Sequence, residues 1–227
     1  MSKNRSLVLL SSGLDSTVNF CKAVRETELV MVLTFDYGQR AAESEIARAK
    51  KICQKFEVRH EILKLDWLKE ITKTALVNGK QKLPRFTRTQ LDDEGLTRET
   101  ARQVWVPNRN ALFINIAASY AEHLNADQIV VGFNAEEAQT FPDNSRAFME
   151  RINESLRYST LKQPKVISYT ADLNKRQIVD LGKALGAPFE LIWSCYESGD
   201  KICGQCESCQ RYARAMEAKA RERHAGF

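Results

Sequence analysis

The stretch Leu7-Val8-Leu9-Leu10-Ser11-Ser12-Gly13-Leu14-Asp15-Ser16 decides how the rest of the chain is read. Its first four residues are an apolar run of a strand's length, and residues 16–25 have the spacing of a helix. A strand, a tight Ser/Gly loop and a helix start together make an anion site. The first backbone N–H groups of a helix have no intrahelical partner, and the helix dipole favours negative charge beside them. Gly13 lets a ligand come close to the backbone, and the Ser11, Ser12 and Ser16 hydroxyls add donors. The expected ligand is phosphate or pyrophosphate. The spacing matches neither Gly-x-x-x-x-Gly-Lys-Ser/Thr nor Gly-x-Gly-x-x-Gly.

The 227 residues suit one α/β domain with an appendage, or two small domains, and are enough for a full core. Hydrophobic content of 43% and charged content of 28% are those of an ordinary globular chain. The net charge of +5 permits a polyanionic partner without demanding one. No signal peptide is visible, and no run approaches the roughly eighteen apolar residues of a membrane helix. The expected location is cytoplasmic, with no membrane partner and no direct nucleic-acid contact. In a reducing compartment six cysteines point to a metal site before disulfides.

Outward from the loop, Leu29-Val30-Met31-Val32-Leu33-Thr34 reads as a strand buried on both faces. Asp36 follows it, placed either to meet a nucleotide's sugar or base or to cap the next helix. Residues 41–56 read as helix, with Cys53 in the core as Cys21 is on the first helix; residues 60–65 read as a third strand. Over residues 74–103 the periodicity fails, which predicts a mobile flap. Arg109 and Asn110 open a buried helix predicted to reach residue 124. Arg109 is the better candidate for phosphate or carboxylate, because guanidinium matches either bidentately, while Asn110 is also placed as an N-cap.

A fourth strand, Ile129-Val130-Val131-Gly132, runs into a polar loop holding Glu136, Glu137, Phe141 and Asp143. In an open parallel sheet this loop shares the ligand edge with the serine loop. Its acids are placed to orient a substrate or hold Mg²⁺, or are solvated turn residues. A helix over 145–158, a fifth strand at 165–169 and a helix opened by Lys175 follow, the last ended by Gly186 and Pro188. Lys175 is placed to pair with a phosphate, or is a surface lysine.

Cys195, Cys203, Cys206 and Cys209 form C-x7-C-x2-C-x2-C with Gly204 at the knuckle. Four thiolates so spaced suit one tetrahedral Zn²⁺ with Zn–S distances of about 2.3 Å, a closed structural site. An iron–sulfur cluster and redox-active thiols are the rivals. The helix after Cys209 carries Arg211, Arg214 and Glu217 among mixed charges, which predicts a solvated face.

The loop resembles the Ser-Gly-Gly-x-Asp-Ser signature of PP-loop ATP pyrophosphatases, with Ser12 where that signature has its first glycine. Were that position to need positive φ, Ser12 would carry strain that glycine avoids. Together with Thr34 to Arg40, Val106, Arg109-Asn110, Pro142-Asp143, Leu173-Asn174-Lys175, Cys195-Tyr196 and the later cysteines, it makes the chain similar to the 7-cyano-7-deazaguanine synthase family over nearly its whole length. The pattern departs at Glu137, Phe141 and Asn144.

The resemblance implies a Rossmann-like, adenine nucleotide alpha-hydrolase-like fold: an open five-stranded parallel sheet over residues 1–186, with a helical zinc-binding appendage over 187–227. It implies an ATP-dependent ligase that turns 7-carboxy-7-deazaguanine and ammonia into the nitrile through an adenylate and an amide. Leu10, Ser11, Ser12, Gly13, Leu14, Asp15, Ser16, Thr17 and Asp36 would hold ATP with Mg²⁺. Arg109, Lys175 and Asp15 would be catalytic, and Arg109, Asn110, Glu136, Glu137, Phe141 and Asp143 would hold the substrate. A homodimer is the expected working unit. Two rival functions are adenylation of a tRNA base for thiolation or amino-acid attachment, and a non-catalytic zinc-bearing module.

Overall fold

The computed structural model describes residues 3–222. Its centre is a five-stranded sheet built of β1 (Arg5–Leu9), β2 (Glu28–Asp36), β3 (His60–Lys64), β4 (Gln128–Val130) and β5 (Lys165–Ile167). All four pairings are parallel and the order is β3-β2-β1-β4-β5. The chain winds outward from β1 to β3, then crosses back to continue from β4 to β5. That reversal opens a crevice between the carboxyl ends of β1 and β4, where open α/β sheets bind ligands.

The apolar runs form strands because both faces of the sheet are covered. Leu7, Leu33 and Ile129 are fully buried towards one core, and Val8, Val32 and Val130 towards the other. The alternation is the two-residue period of a strand. Helices α1 (Leu14–Glu26) and α2 (Ala42–Lys55) lie on the second face, with Cys21 and Cys53 in that core. The short α3 (Asp66–Ile71) places Leu68 in the first core.

Residues 74–103 differ from the unpatterned flap that the sequence predicts. Ala75, Leu76 and Val77 are buried, a 3-10 turn spans Arg88–Asp92, and α4 runs over Glu94–Val104. The helix escapes hydropathy because its buried positions are Thr97, Thr100, Ala101 and Val104, a helical stripe half made of threonine. The Thr97 and Thr100 hydroxyls donate to the carbonyls of Asp93 and Leu96, so their burial leaves no hydroxyl unpaired.

On the first face, α5 (Arg109–His123) packs beside α7 (Arg146–Ser159), with the single-turn α6 (Ala135–Ala138) between them in the chain. Helix α5 is less enclosed than its composition predicts: Ile114, Ala117 and Ala121 are buried, whereas Asn115, Ser119 and Glu122 face solvent. Helix α8 (Lys175–Leu185) starts at a capping box made by Asn174 and Gln177. It packs against α1 and against α9 (Glu207–Glu222). Among the described residues, no helix is long and apolar enough to cross a membrane.

Candidate active site

The serine loop is closed by hydrogen bonds among its own residues. Ser16 Oγ donates to the Gly13 carbonyl at 3.1 Å and accepts from the Ser11 N–H at 3.2 Å, and lies 3.1 Å from Ser11 Oγ. Gly13 is the extended N-cap of α1, so the N–H groups of Leu14, Asp15 and Ser16 open the helix towards the crevice. Gly132 closes the approach from β4. A Cβ there would stand 2.7 Å from Ser16 N and 2.8 Å from Ser16 Cα, so only glycine lets the two strand ends meet.

Leu10, Ser11, Gly13, Leu14, Asp15 and Ser16 line a cleft of about 280 Å³ over the β1/β4 switch point. Ser12 and Thr17, expected among the nucleotide contacts, do not line it; both are fully buried behind the loop. Ser12 has φ +58°, the strained case for a non-glycine residue, and its carbonyl accepts from the Trp193 N–H at 2.9 Å. Asp36 is also turned away. Strand alternation sends Leu33, Phe35 and Tyr37 to the cleft, while the Asp36 carboxylate accepts from the Gly38 N–H.

The strongest charge arrangement is a lysine between two acids. Lys175 Nζ donates to Asp15 Oδ2 and to Glu137 Oε1, each at 2.5 Å, and all three groups line the cleft. Burial opposes charge on Lys175, but the two carboxylates outweigh it and hold the ammonium above its ordinary range. Burial pushes Asp15 up to about 6, against the pull of Lys175. For Glu137 burial also opposes ionisation, but the Lys175 ammonium wins and the carboxyl is lowered.

The loop after β4 divides its residues. Glu137 and Phe141 line the cleft, whereas Glu136 and Asp143 do not. Glu136 accepts from the Lys175 backbone N–H at 2.7 Å and lies 3.5 Å from Arg211 and 3.6 Å from Arg214. Asp143 offers its carbonyl to Asn110 Nδ2. Arg109 follows Asn108, which is held at φ +56°, and donates from Nη1 to the Tyr37 hydroxyl at 3.2 Å. Arg109 and Asn110 both line the cleft.

Several lining residues carry no sequence signal of their own. Glu45 lies on α2, where its Oε2 accepts from Gln39 Nε2 at 2.9 Å. Burial pushes its carboxyl up to about 7, with Gln39 and Arg109 opposing and Asp36 and Cys195 adding to the rise. Tyr196, Glu207 and Arg211 come from the cysteine-rich end. Arg211, expected on a solvated face, instead chelates Glu207 Oε1 through Nε and Nη2 at 2.9 and 2.8 Å. Charge patterning shows only the i,i+4 pair of Glu207 and Arg211, not the approach of Arg211 to Glu136, 75 positions earlier, that turns the pair inward.

Cys195, Cys203, Cys206 and Cys209 bring their sulfurs within 4.8 Å of one another. Cys203 and Cys209 are 3.8 Å apart, and sulfurs at tetrahedral corners about 2.3 Å from a zinc would be separated by about 3.8 Å. A four-iron cluster would spread the sulfurs farther, one to each iron. The N–H groups of Glu197 and Cys203 point at Cys195 Sγ, and those of Gln205 and Cys206 at Cys203 Sγ. Such donors favour thiolates. Gly204, at φ +70°, makes the turn that lets Cys203 and Cys206 face one centre.

The model of the family described as queuosine biosynthesis protein QueC matches residues 5–220. A 7-cyano-7-deazaguanine synthase of Bdellovibrio bacteriovorus is 51% identical over 218 residues, 95% of this chain and 94% of that protein. Another, of Carboxydothermus hydrogenoformans, is 51% identical over 211 residues, 93% of this chain and 97% of its own length. Among solved structures, the U34-tRNA thiolase NcsA of Methanococcus maripaludis superposes with a TM-score of 0.51 at 13% identity, covering 100% of this chain and 69% of the thiolase. That likeness is one of fold. The match to the family model and the two close relatives, spanning nearly all of the chain, place it in the QueC family, that of the 7-cyano-7-deazaguanine synthases.

Proposed function

We propose that this enzyme is an ATP-dependent ligase that converts 7-carboxy-7-deazaguanine and ammonia into 7-cyano-7-deazaguanine. Membership of the family makes queuosine precursor synthesis its field. The observation that carries the finer reading is the Asp15–Lys175–Glu137 triad beside a helix N-terminus, in a cleft that also holds Arg109.

A carboxylate resists ammonia because its carbon is electron-rich and oxide leaves poorly. Attack of the carboxylate oxygen on the α-phosphorus of ATP forms an acyl adenylate and releases pyrophosphate. The N–H groups at the start of α1, with Ser11 and Ser16, would bind the pyrophosphate, and Lys175 would offset its charge. Ammonia then forms the C–N bond as the C–O bond to AMP breaks. A second adenylation, on the amide oxygen, lets AMP depart as two N–H protons are lost, leaving the nitrile. Arg109 would hold carboxylate or phosphate, and Asn110, Glu137 and Phe141 would face the substrate.

Asp15 and Glu137 are the hard oxygen donors that would hold Mg²⁺, which when bound spreads phosphate charge. The four cysteines would hold a structural Zn²⁺ with no open position. We treat residues 187–227 as the zinc-holding segment of a nucleotide-binding domain over 1–186. A homodimer in the reducing cytoplasm, with no nucleic-acid or membrane partner, completes the proposal.

The test is mass spectrometry of full-length protein with the acid, ATP, Mg²⁺ and an ammonium salt. Nitrile should form, and D15A or S16A should abolish it. AMP and pyrophosphate without amide would overturn ammonia as the nitrogen donor. No ATP consumption by zinc-loaded protein would overturn activation of this acid.

A further inference from the structure

Four carboxylates line the cleft: Asp15, Glu45, Glu137 and Glu207. Three are already matched by a cation. Asp15 and Glu137 share Lys175, and Glu207 is chelated by Arg211. Glu45 has no ion-pair partner among the described residues. Its Oε2 accepts from an uncharged amide, Gln39 Nε2, and its Oε1 accepts no hydrogen bond from the described residues. The nearby Arg109 guanidinium donates to the Tyr37 hydroxyl and to Asn110 Oδ1, and attracts Glu45 without forming an ion pair with it.

The carboxylate is also held still. Gln39 Oε1 accepts from the Tyr37 N–H at 3.0 Å, and Gln39 Nε2 donates to the Phe35 carbonyl at 3.0 Å as well as to Glu45. A side chain fixed at both ends of its amide fixes the acid it touches. Oε2 is thereby tied to the protein wall while Oε1 stays available to a ligand. The aromatic rings of Phe35, Tyr37 and Phe113, packed on one another, also line the cleft and give it apolar wall.

We propose that Glu45 is a catalytic residue that binds ammonium and removes its proton. The inference rests on the ligase reading above and adds to it the group that makes the nucleophile. At neutral pH ammonia is almost wholly ammonium, whose lone pair is occupied by a proton. An unpaired carboxylate in a small, partly apolar cleft attracts that cation and can accept its proton. Glu45 takes one proton from ammonium and becomes a neutral acid. The freed lone pair forms the C–N bond to the acyl adenylate, and AMP leaves with the electron pair of the broken C–O bond. The surplus proton on the new amide nitrogen, and later the proton on Glu45, pass to solvent.

Hydroxylamine separates this role from a structural one, because it is already neutral at pH 7 and needs no base. Full-length, zinc-loaded wild type, E45Q and E45D are compared with 7-carboxy-7-deazaguanine, ATP and Mg²⁺, using ammonium chloride or hydroxylamine. For E45Q, the single-turnover burst of pyrophosphate formed from the acid and ATP before any nitrogen nucleophile is added should stay within about 3-fold of wild type. Amide formation from ammonium should fall about 100-fold or more, the usual worth of a positioned base. Hydroxamate formation from hydroxylamine should be retained, and E45D should recover part of the ammonium reaction. Equal loss with both nucleophiles, or loss of the single-turnover pyrophosphate burst, would overturn the role of Glu45, as would unchanged amide formation. Wild type that activates no acid would overturn the ligase reading itself, and this inference with it.

Discussion

The serine loop at residues 10–16 and the cysteine knuckle at 195–209 are both short motifs, yet they hold their shape by different means. The loop is fixed by hydrogen bonds among its own neighbours, Ser11 to Ser16 and Ser16 to Gly13, and by the glycine contact from Gly132. The knuckle has four sulfurs facing one centre, with N–H groups pointing at those of Cys195 and Cys203, a set that could hold a metal ion. One is closed by its own hydrogen bonds and the other gathers side chains from separate turns around one point. They also touch, since the Trp193 N–H holds the Ser12 carbonyl from behind. The sulfur cluster therefore braces the anion loop as well as placing Tyr196, Glu207 and Arg211 in the cleft wall.

The harshest way to break that comparison is C206S. If the metal holds the knuckle, zinc content should drop from one per chain to none by metal analysis. Tm should fall by about 10 °C or more, corresponding to roughly 4 kcal/mol for a chain of this size. KM for the acid should rise because the wall moves, and KM for ATP should rise with it because Trp193 no longer holds Ser12 in place. Equal KM values in the variant and wild type would sink the bracing role.

Lys175 tests the loop side. K175M leaves Asp15 and Glu137 facing each other without their cation, and breaking such a buried pair costs about 3–5 kcal/mol. Urea unfolding should read that loss, and pyrophosphate release should drop about 100-fold or more. A variant of unchanged stability would show that the two acids find other partners.

Glu45 sharpens the contrast through pH. Its folded carboxyl is raised to about 7 from an ordinary value of 4.5. Folding therefore binds its proton more tightly than the unfolded chain does. The stability this contributes is present in acid and is lost as pH rises from about 4.5 through about 7. E45Q does not titrate, so its stability relative to wild type should rise by on the order of 1 kcal/mol between pH 5 and pH 8, solvent screening included. A flat difference across that range would show the carboxyl to be well solvated.

The smallest effect is expected at Ser12. Its left-handed backbone costs about 1–2 kcal/mol for a side-chain-bearing residue, and glycine returns about 0.5–1 kcal/mol of that in lost chain entropy. S12G should therefore stabilise by about 0.5–1 kcal/mol with activity kept, measured by thermal unfolding and pyrophosphate release. Destabilisation would mean that the buried hydroxyl has a partner in solution.

Much of the fold was legible because it rests on short-range rules. Residues 29–34 are apolar throughout and lie on both faces of a covered sheet, so β2 announces itself. Asn174 and Gly186 mark the two ends of α8. Helix α4 was not legible, since threonines occupy half of its buried stripe. In the cleft, the polar loop after β4 suggested four contacts without ranking them, and only Glu137 and Phe141 line it.

By itself the sequence determined the order of the five strands, the anion loop at the end of β1 and the clustering of the four later cysteines. Each of these depends on contacts within a few residues, where composition and spacing constrain geometry directly. Only the tertiary structure decided that Asp36 and Glu136 turn from the cleft, and that Lys175 reaches across 160 residues to Asp15. It also decided that Glu45 and Arg211 complete the wall. Those placements follow from strand parity and from which helices meet over the switch point, and no local pattern encodes either.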